Sequence, residues 1–207
     1  VCPELRGLTL DAASQTLLAA CAGGELVTIK NGAVQEITRP APDLRDVVVT
    51  GGKRFVSTFR SAQMIELDAQ GTPAKTITWP SVPLAPVEGK PTTFVPAVAW
   101  RTVTAPNGMV VSVHHRTVDG DIGGIQVPRA PPAPAYYQNI CESSIVRSTV
   151  SVVNDGNVVG SVDISGVLPV DVAVSPDNAE IAVAQPSSGF VQRVQLAAAS
   201  AGVSGTA

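Results

Sequence analysis

The sequence is poor in charge, in aromatic side chains and in long apolar runs. Only 15% of its 207 residues are charged and 4% are aromatic, and the formal net charge is -3. Phosphate backbones are bound by clusters of Lys and Arg, and no such cluster stands out, so nucleic acid is not expected as a partner. Apolar runs such as Ile181 to Ala184 are far shorter than the roughly 18 residues of a spanning helix, so no transmembrane segment is predicted.

Sequence motifs for catalysis and for metal or haem binding are also missing. There is no Gly-x-Ser-x-Gly, Cys-x-x-Cys-His or His-Glu-x-x-His motif, and no Asp-rich calcium loop. The two histidines, His114 and His115, are adjacent, and neighbours on a strand point to opposite faces, so one metal ion cannot easily take both. We therefore predict a non-enzymatic protein without catalytic residues, metal or cofactor.

The composition and the first residues favour an exported protein. The chain begins with Val1 and has no basic or apolar targeting segment, which is typical of a mature product. Lys is scarce, and a cysteine lies close to the first residue. We expect a periplasmic or extracellular location.

The positive signal is a repeat of short β-branched runs separated by polar turns, as in antiparallel sheets. Gly and Pro interrupt almost every window of roughly twelve residues, which excludes long helices. The sequence LRGLTL at 5–10 returns as LRDVVV at 44–49, an offset of 39 residues. Both copies end in Ile-Thr-x-Pro, at 37–40 and 77–80, so each unit is predicted to contain four strands.

Two further units follow the first pair. The four units span 5–40, 44–80, 97–165 with an insertion at 117–142, and 168–196. A period near 40 with four strands per unit predicts an all-β fold, a β-propeller or partial propeller of about four four-stranded antiparallel blades. Residues 197–207 are Ala, Ser and Gly-rich and are expected to form a flexible tail or the start of a further region.

The fourth unit resembles the YVTN-type bacterial propeller repeat. Residues 168–178, LPVDVAVSPDN, and the strand IAVA at 181–184 match its strand, Ser-Pro-Asp-Gly turn and strand, except that Asn178 replaces the usual Gly. Asn also tolerates the left-handed conformation. Residues 44–67 and 98–116 more loosely resemble the propellers of exported proteins that carry c-type cytochrome modules. The resemblance implies a WD40-like propeller, while the missing haem motif means that cytochrome chemistry does not transfer.

Two of the three cysteines are placed to form a disulfide. Cys2 precedes the first strand and Cys21 ends the second, and these strands are neighbours in one blade. The bridge would close a loop of about 20 residues and stabilise the fold by roughly 3 kcal/mol. The alternative is two buried thiols. Cys141, in the insertion, is either free or bonded to another segment.

Three arginines share one register at the start of the first strand of a unit: Arg6, Arg45 and Arg101. First strands line the central channel of a propeller, so these guanidinium groups could bind a carboxylate, a phosphate or an acidic partner surface. In the alternative interpretation, each arginine pairs with an aspartate such as Asp46 or Asp171 and ties the blades together. His114 and His115 are likewise either binding residues or hydrogen-bonded structural residues.

The insertion offers a further binding surface. Residues 128–137, PRAPPAPAYY, combine proline with Tyr136 and Tyr137, which supply apolar contact area at low entropic cost. The alternative is a disordered or merely packed excursion.

These features predict a non-enzymatic extracytoplasmic scaffold that binds a protein partner, including a subunit that completes the propeller. One alternative is the propeller part of a larger periplasmic redox assembly whose c-type cytochrome modules lie elsewhere. Another is a small-molecule-binding or lyase-type propeller that uses the arginines at the channel mouth.

Overall fold

The computed structural model describes residues 2–87, 90–119, 145–186 and 189–200. This part of the chain forms 16 β-strands in four antiparallel sheets and one short helix. No helix within the described ranges is long and apolar enough to cross a membrane.

Blades 1 and 2 are four-stranded sheets in which each strand pairs with the next along the chain. Blade 1 contains β1 (Leu5–Asp11), β2 (Thr16–Cys21), β3 (Leu26–Lys30) and β4 (Ala33–Thr38). Blade 2 contains β5 (Leu44–Thr50), β6 (Lys53–Thr58), β7 (Gln63–Leu67) and β8 (Pro73–Thr78). Both are the four-stranded units predicted from the repeat.

Blades 3 and 4 depart from four strands, with five and three respectively. Blade 3 contains β9 (Val82–Val87), β10 (Lys90–Thr104), β11 (Val110–Asp119), β12 (Val146–Asn154) and β13 (Asn157–Ile164). Blade 4 contains β14 (Asp171–Val174), β15 (Glu180–Gln185) and β16 (Phe190–Gln195), followed by helix α1 (Leu196–Ser200).

Three details of these two blades differ from the sequence-based boundaries. β9 and the first part of β10 precede residue 97, and β11 continues into the segment assigned to the insertion. β9 lies at the edge of its sheet. Pro83 and Pro86 have no backbone N–H to donate, and an edge strand tolerates this loss because one of its sides has no partner strand. Helix α1 starts at the last residue of the fourth predicted unit and continues into the stretch expected to be a tail, and its buried Leu196 and Ala199 join the apolar core.

Tight turns connect the strands as their residues predict. Gly51 and Gly52 both have positive φ, 57° and 74°, in the two-residue turn between β5 and β6. Asn178 has a φ of 60°, which confirms the left-handed conformation expected at this position. The Ser175 hydroxyl oxygen accepts hydrogen bonds from the backbone N–H groups of Ala179 and Glu180 and so holds the turn.

The blades follow one another around an axis, with β1, β5, β10 and β14 innermost. β1 contacts β5, β5 contacts β10, and β10 contacts β14, whereas the described strands of blades 1 and 4 make no comparable contact. Apolar layers fill the junctions, with Leu18 and Val56 buried between blades 1 and 2. Gly7 allows β1 to approach β5, because a Cβ there would lie 2.6 Å from the Cα of Asp46. The fold is therefore an all-β propeller of four blades, as predicted.

Candidate functional site

The three arginines of the innermost strands all contact a neighbouring blade. Arg6 donates from Nη1 to Asp43 Oδ1 of blade 2 at 2.7 Å. Arg45 donates from Nε to the carbonyl oxygen of Trp100 in blade 3 at 2.6 Å. These contacts link blade 1 to blade 2 and blade 2 to blade 3.

Arg101 on β10 contacts acidic groups on both sides of its blade. Its Nη1 lies 2.6 Å from Asp46 Oδ1 in blade 2, and its Nε lies 3.4 Å from Asp171 Oδ1 in blade 4. Arg6 and Arg101 thus form the aspartate pairs of the alternative interpretation, while Arg45 uses a backbone carbonyl. Their guanidinium groups are engaged in joining blades, and binding of an external anion stays a prediction.

Asp46 is the most deeply buried acid of this region, with a side chain 2% exposed. Its Oδ2 accepts the backbone N–H of Thr102 at 2.8 Å, in addition to the Arg101 contact at Oδ1. Burial raises the pKa of Asp46, and the Arg101 charge and the Thr102 N–H oppose this effect. The carboxylate fixes the approach of blade 3 to blade 2 because two donors of blade 3 converge on it.

Aromatic rings connect the arginines near the axis. The Cζ atoms of Arg6 and Arg45 lie 5.0 Å and 5.9 Å from the centre of the Phe59 ring. Phe59 meets Trp100 edge to face at 5.6 Å, and Trp100 meets His115 in the same way at 5.5 Å. These five residues form a continuous arginine–aromatic cluster across blades 1 to 3.

Sequence reasoning missed Phe59 and Trp100 as members of this cluster. Phe59 comes directly after β6 and Trp100 lies within β10, so they are 41 positions apart in the chain. Aromatic residues are scarce in this sequence, and this scarcity is the signal that could have drawn attention to the two rings beside the innermost strands.

His114 is held neutral at one end of a buried hydrogen-bond chain in blade 3. Arg116 donates from Nη2 to Ser161 Oγ at 2.6 Å, and Ser161 and Ser151 hydroxyls lie 2.7 Å apart. Ser151 Oγ lies 2.8 Å from His114 Nε2, while His114 Nδ1 lies 3.3 Å from the carbonyl oxygen of His115. The carbonyl can only accept, so the Nδ1 of His114 carries the proton and its Nε2 accepts from Ser151.

Burial controls the protonation of this histidine. His114 is fully buried and its ring stacks on that of Trp79 at 5.5 Å. Desolvation, assisted by the charge of Arg116, lowers the pKa of His114 from 6.5 to about 3. His114 is therefore a neutral hydrogen-bonded residue at physiological pH.

His115 points to different neighbours from His114, as expected for adjacent strand residues. Trp100 donates from Nε1 to His115 Nδ1 at 3.2 Å, which places the remaining proton on Nε2. That Nε2 is buried and has no hydrogen-bond partner among the described residues. Burial also lowers the pKa of His115.

Arg116 is a buried cation that sequence reasoning did not single out. Its side chain is 2% exposed, and its Nη1 lies 2.6 Å from Asp163 Oδ1. Asp163 also accepts from Thr149 at 2.9 Å and from Arg147 at 3.2 Å. Polar residues at alternate positions of β11, ending in Arg116, are the signal that could have indicated this buried polar face.

The predicted disulfide between Cys2 and Cys21 is present, with the two Cα atoms 6.2 Å apart. Tyr136, Tyr137 and Cys141 lie outside the described residues. Within the described ranges, no group of three or more His, Cys, Asp or Glu side chains is placed to hold a metal ion.

A surface cleft of about 420 Å³ lies between the turns of blades 2 and 3. The buried Phe55 and Val110 and the partly exposed Lys53 are among the residues that line it. The Lys53 ammonium group is paired with Asp155 at 2.9 Å and Glu66 at 3.3 Å. The charges at this cleft thus join blades 2 and 3.

Comparison with known proteins gives likeness in fold. No protein-family model matches the sequence, and no curated protein sequence matches it. A provisionally assigned 6-phosphogluconolactonase of Bacteroides uniformis superposes with a TM-score of 0.59 at 13% identity, over 92% of this chain and 50% of its own. The WD40 propeller domain of Doa1 gives 0.58 at 12% identity, over 92% and 49%.

A third solved structure, the periplasmic gluconolactonase PpgL of Pseudomonas aeruginosa, gives a TM-score of 0.55 at 14% identity, over 95% of this chain and 55% of its own. The chain thus spans about half of the length of the propellers that it matches. At such low identity the likeness concerns the fold, which is shared by enzymes and by non-catalytic WD40 domains. Together with the four sheets, these comparisons establish that the chain has the β-propeller fold.

Proposed function

We propose that the protein is a non-enzymatic, extracytoplasmic propeller scaffold that binds a protein partner through the outer face of blade 1. The outer face is the side of this sheet turned away from blade 2. The observation that carries the proposal is the apolar character of this face together with the exposure of four of its side chains, Leu8, Leu10, Val34 and Ile37.

Strand register places eight apolar residues on the outer face in two rows. Residues that pair directly across antiparallel strands share a face. One row is Leu8, Ala19, Val27 and Ile37, and the other is Leu10, Leu17, Ile29 and Val34. The residues at the ends of the rows are exposed, with Leu8, Leu10 and Ile37 at 51%, 59% and 53%, whereas Ala19 and Val27 between them are fully buried.

The corresponding positions in the other blades are buried. The repeat aligns Leu8 with Val47 of β5 and with Val172 of β14, which are 3% and 5% exposed. In those blades the same face packs against the preceding blade. Exposed apolar side chains clustered on one face of an otherwise well-packed protein are typical of a protein interface, which supports a partner on blade 1.

The disulfide supports the extracytoplasmic part of the proposal. Such bonds persist in oxidising compartments and are rare in the cytosol. Cys2 and Cys21 pack against Ala19 and Val27, so the bond also braces the outer face itself.

Leu8→Asp tests the proposed surface directly. The native protein is purified with its bound partner, and the variant is expected to lose that partner because a carboxylate replaces an apolar contact. Ile145→Asp is the matched control, since Ile145 is 47% exposed but lies in blade 3 away from this face. Retention of the partner by Leu8→Asp, with loss in the control, would contradict the proposed surface.

Two further measurements test the rest of the proposal. Thiols are blocked in intact cells before lysis, and the Cys2–Cys21 bond is expected to survive in the recovered peptides. Gluconolactone hydrolysis by the purified protein is expected to match the rate in buffer. Hydrolysis above that rate would overturn the non-enzymatic assignment.

A further inference from the structure

We propose that the partner on blade 1 is a second copy of this chain, and that two copies related by a twofold axis close one eight-bladed ring. The outer face of blade 4 of each copy would pack on the outer face of blade 1 of the other. This inference rests on the proposed function, because it names the partner of the same surface.

The two outer faces are complementary in side-chain size. Blade 1 presents the bulky Leu8, Leu10 and Leu17, whereas the outer face of blade 4 presents alanines. In β14 and β15 these are Ala173, Ala182 and Ala184, all at least partly exposed. Large residues packed against small ones let facing layers interdigitate.

The junction between blades 1 and 2 shows how the proposed contact is built. There, Ala20 on β2 pairs with Gly7, and Leu18 pairs with Thr9. On blade 4, Ala184 and Ala182 occupy these positions, paired with Asp171 and Ala173. Ala20 and Leu18 pack on blade 2, next to Val47, so the alanines of blade 4 would meet Leu8, which is equivalent to Val47.

Charged residues would align the outer faces of blades 4 and 1 in the same way as they align blades 2 and 3. Asp171 lies at the position of Asp46, which receives Arg101 of the following blade. The Asp171 side chain is 66% exposed. Arg6 is the equivalent of Arg101 at the start of blade 1, and Arg101 shows that one such arginine can contact acids of the preceding and following blades together. Asp171 of one copy would therefore reach Arg6 of the other.

Symmetry agrees with a pair of chains. The two outer faces differ from each other, so each contact is between unlike surfaces, and a twofold axis uses both faces of both copies and closes the ring. Eight blades lie within the usual range of about 4 to 8.

The first test is the mass of the native polypeptide in solution, measured by light scattering during gel filtration. A dimer is expected, with twice the 21.2 kDa of this chain or twice the mass of any longer native product. Leu8→Asp is expected to raise the dissociation constant about a hundredfold. A protein that stays monomeric at tens of micromolar, because further blades of one polypeptide cover the face, overturns the inference.

Cross-linking distinguishes the arrangement of the two copies. Leu8→Cys and Ala184→Cys are introduced separately in a Cys141→Ser background. A disulfide-linked dimer is expected when the two variants are mixed under oxidising conditions and not with either variant alone. Cross-linking by Leu8→Cys alone would indicate two blade 1 faces in contact and would overturn the ring.

The outcomes also separate this inference from the proposed function. If Leu8→Asp releases a different protein and leaves a monomer unchanged, the scaffold proposal stands and the second copy is wrong. If Leu8→Asp changes neither self-association nor any other complex, both are wrong.

Discussion

The junction between blades 2 and 3 and the outer face of blade 1 reverse the usual distribution of polar and apolar groups. The junction buries His114, Arg116 and Asp46, all at most 2% exposed, while the outer face leaves Leu8 and Leu10 more than half exposed. Buried polar groups are stable when they satisfy one another, and exposed apolar groups persist where a partner covers them. Chemical partners, rather than polarity alone, therefore explain where each of these side chains lies.

The largest expected effect comes from breaking the buried ion pair of blade 3. Asp163→Ala leaves Arg116 buried without its counter-charge, and the free energy of unfolding should fall by about 3–5 kcal/mol. Urea denaturation measures this change. Arg147→Ala is the control, because Arg147 contacts the same carboxylate but is 31% exposed, and it should cost about 1 kcal/mol. Equal losses in both variants would contradict the role assigned to burial.

Removal of the disulfide tests the bracing of the outer face. The double variant Cys2→Ser, Cys21→Ser should lose roughly 3 kcal/mol, because the unfolded chain regains the entropy of a loop of 19-residue separation. Thermal or urea unfolding with and without reductant provides the measurement. The wild-type protein should lose stability in reductant, and the double variant should not respond to it.

The stability of the protein in mild acid should depend on His114, because this residue is neutral in the folded state. The folded-state pKa is about 3 and the ordinary value is 6.5, so the unfolded chain binds a proton that the folded chain excludes. The contribution of His114 to stability is then fully present above pH 6.5, and it falls by about 1.4 kcal/mol per pH unit as the pH drops toward 3. Unfolding curves between pH 4.5 and 7 test this. His114→Gln should reduce the slope by the contribution of one proton, and an unchanged slope would contradict it.

The smallest effect is expected on the outer face of blade 1. Leu10→Ala should change the free energy of unfolding of an isolated chain by less than about 0.5 kcal/mol, because Leu10 is 59% exposed. The buried Leu18 in the same blade is the counterpart, and Leu18→Ala should cost about 2–5 kcal/mol. Measuring both under dissociating conditions sharpens the comparison. A large loss for Leu10→Ala would mean that this face is already covered within the chain.

Much of the fold could be predicted from the sequence because the repeat carries it. The paired LRGLTL and LRDVVV segments located β1 and β5, and the Ser175 to Asn178 turn located the hairpin of blade 4. β9 was not predicted because it contains prolines such as Pro83. Proline argues against a central strand but is tolerated in an edge strand. α1 was missed because five residues are too few to show helical periodicity.

The candidate site was less accessible to prediction. The shared register of the arginines was evident from the repeat. Whether Arg6 pairs with an aspartate or faces an open channel depends on how blade 2 packs on blade 1. The hydrogen-bond chain from Arg116 to His114 runs through Ser161 and Ser151, and its successive members are 45, 10 and 37 residues apart in the sequence. No local pattern relates such positions, because strand pairing brings them together.

The sequence alone accounts for the blades of this protein, since β-branched alternation, turn residues and repeat spacing act within or between neighbouring strands. It also determined the cysteine pair, because both residues lie in one blade. The protonation of His114, the partners of the arginines and the faces left exposed among the described residues depend on the tertiary structure, since burial and charge pairing are set by how whole blades pack around the axis.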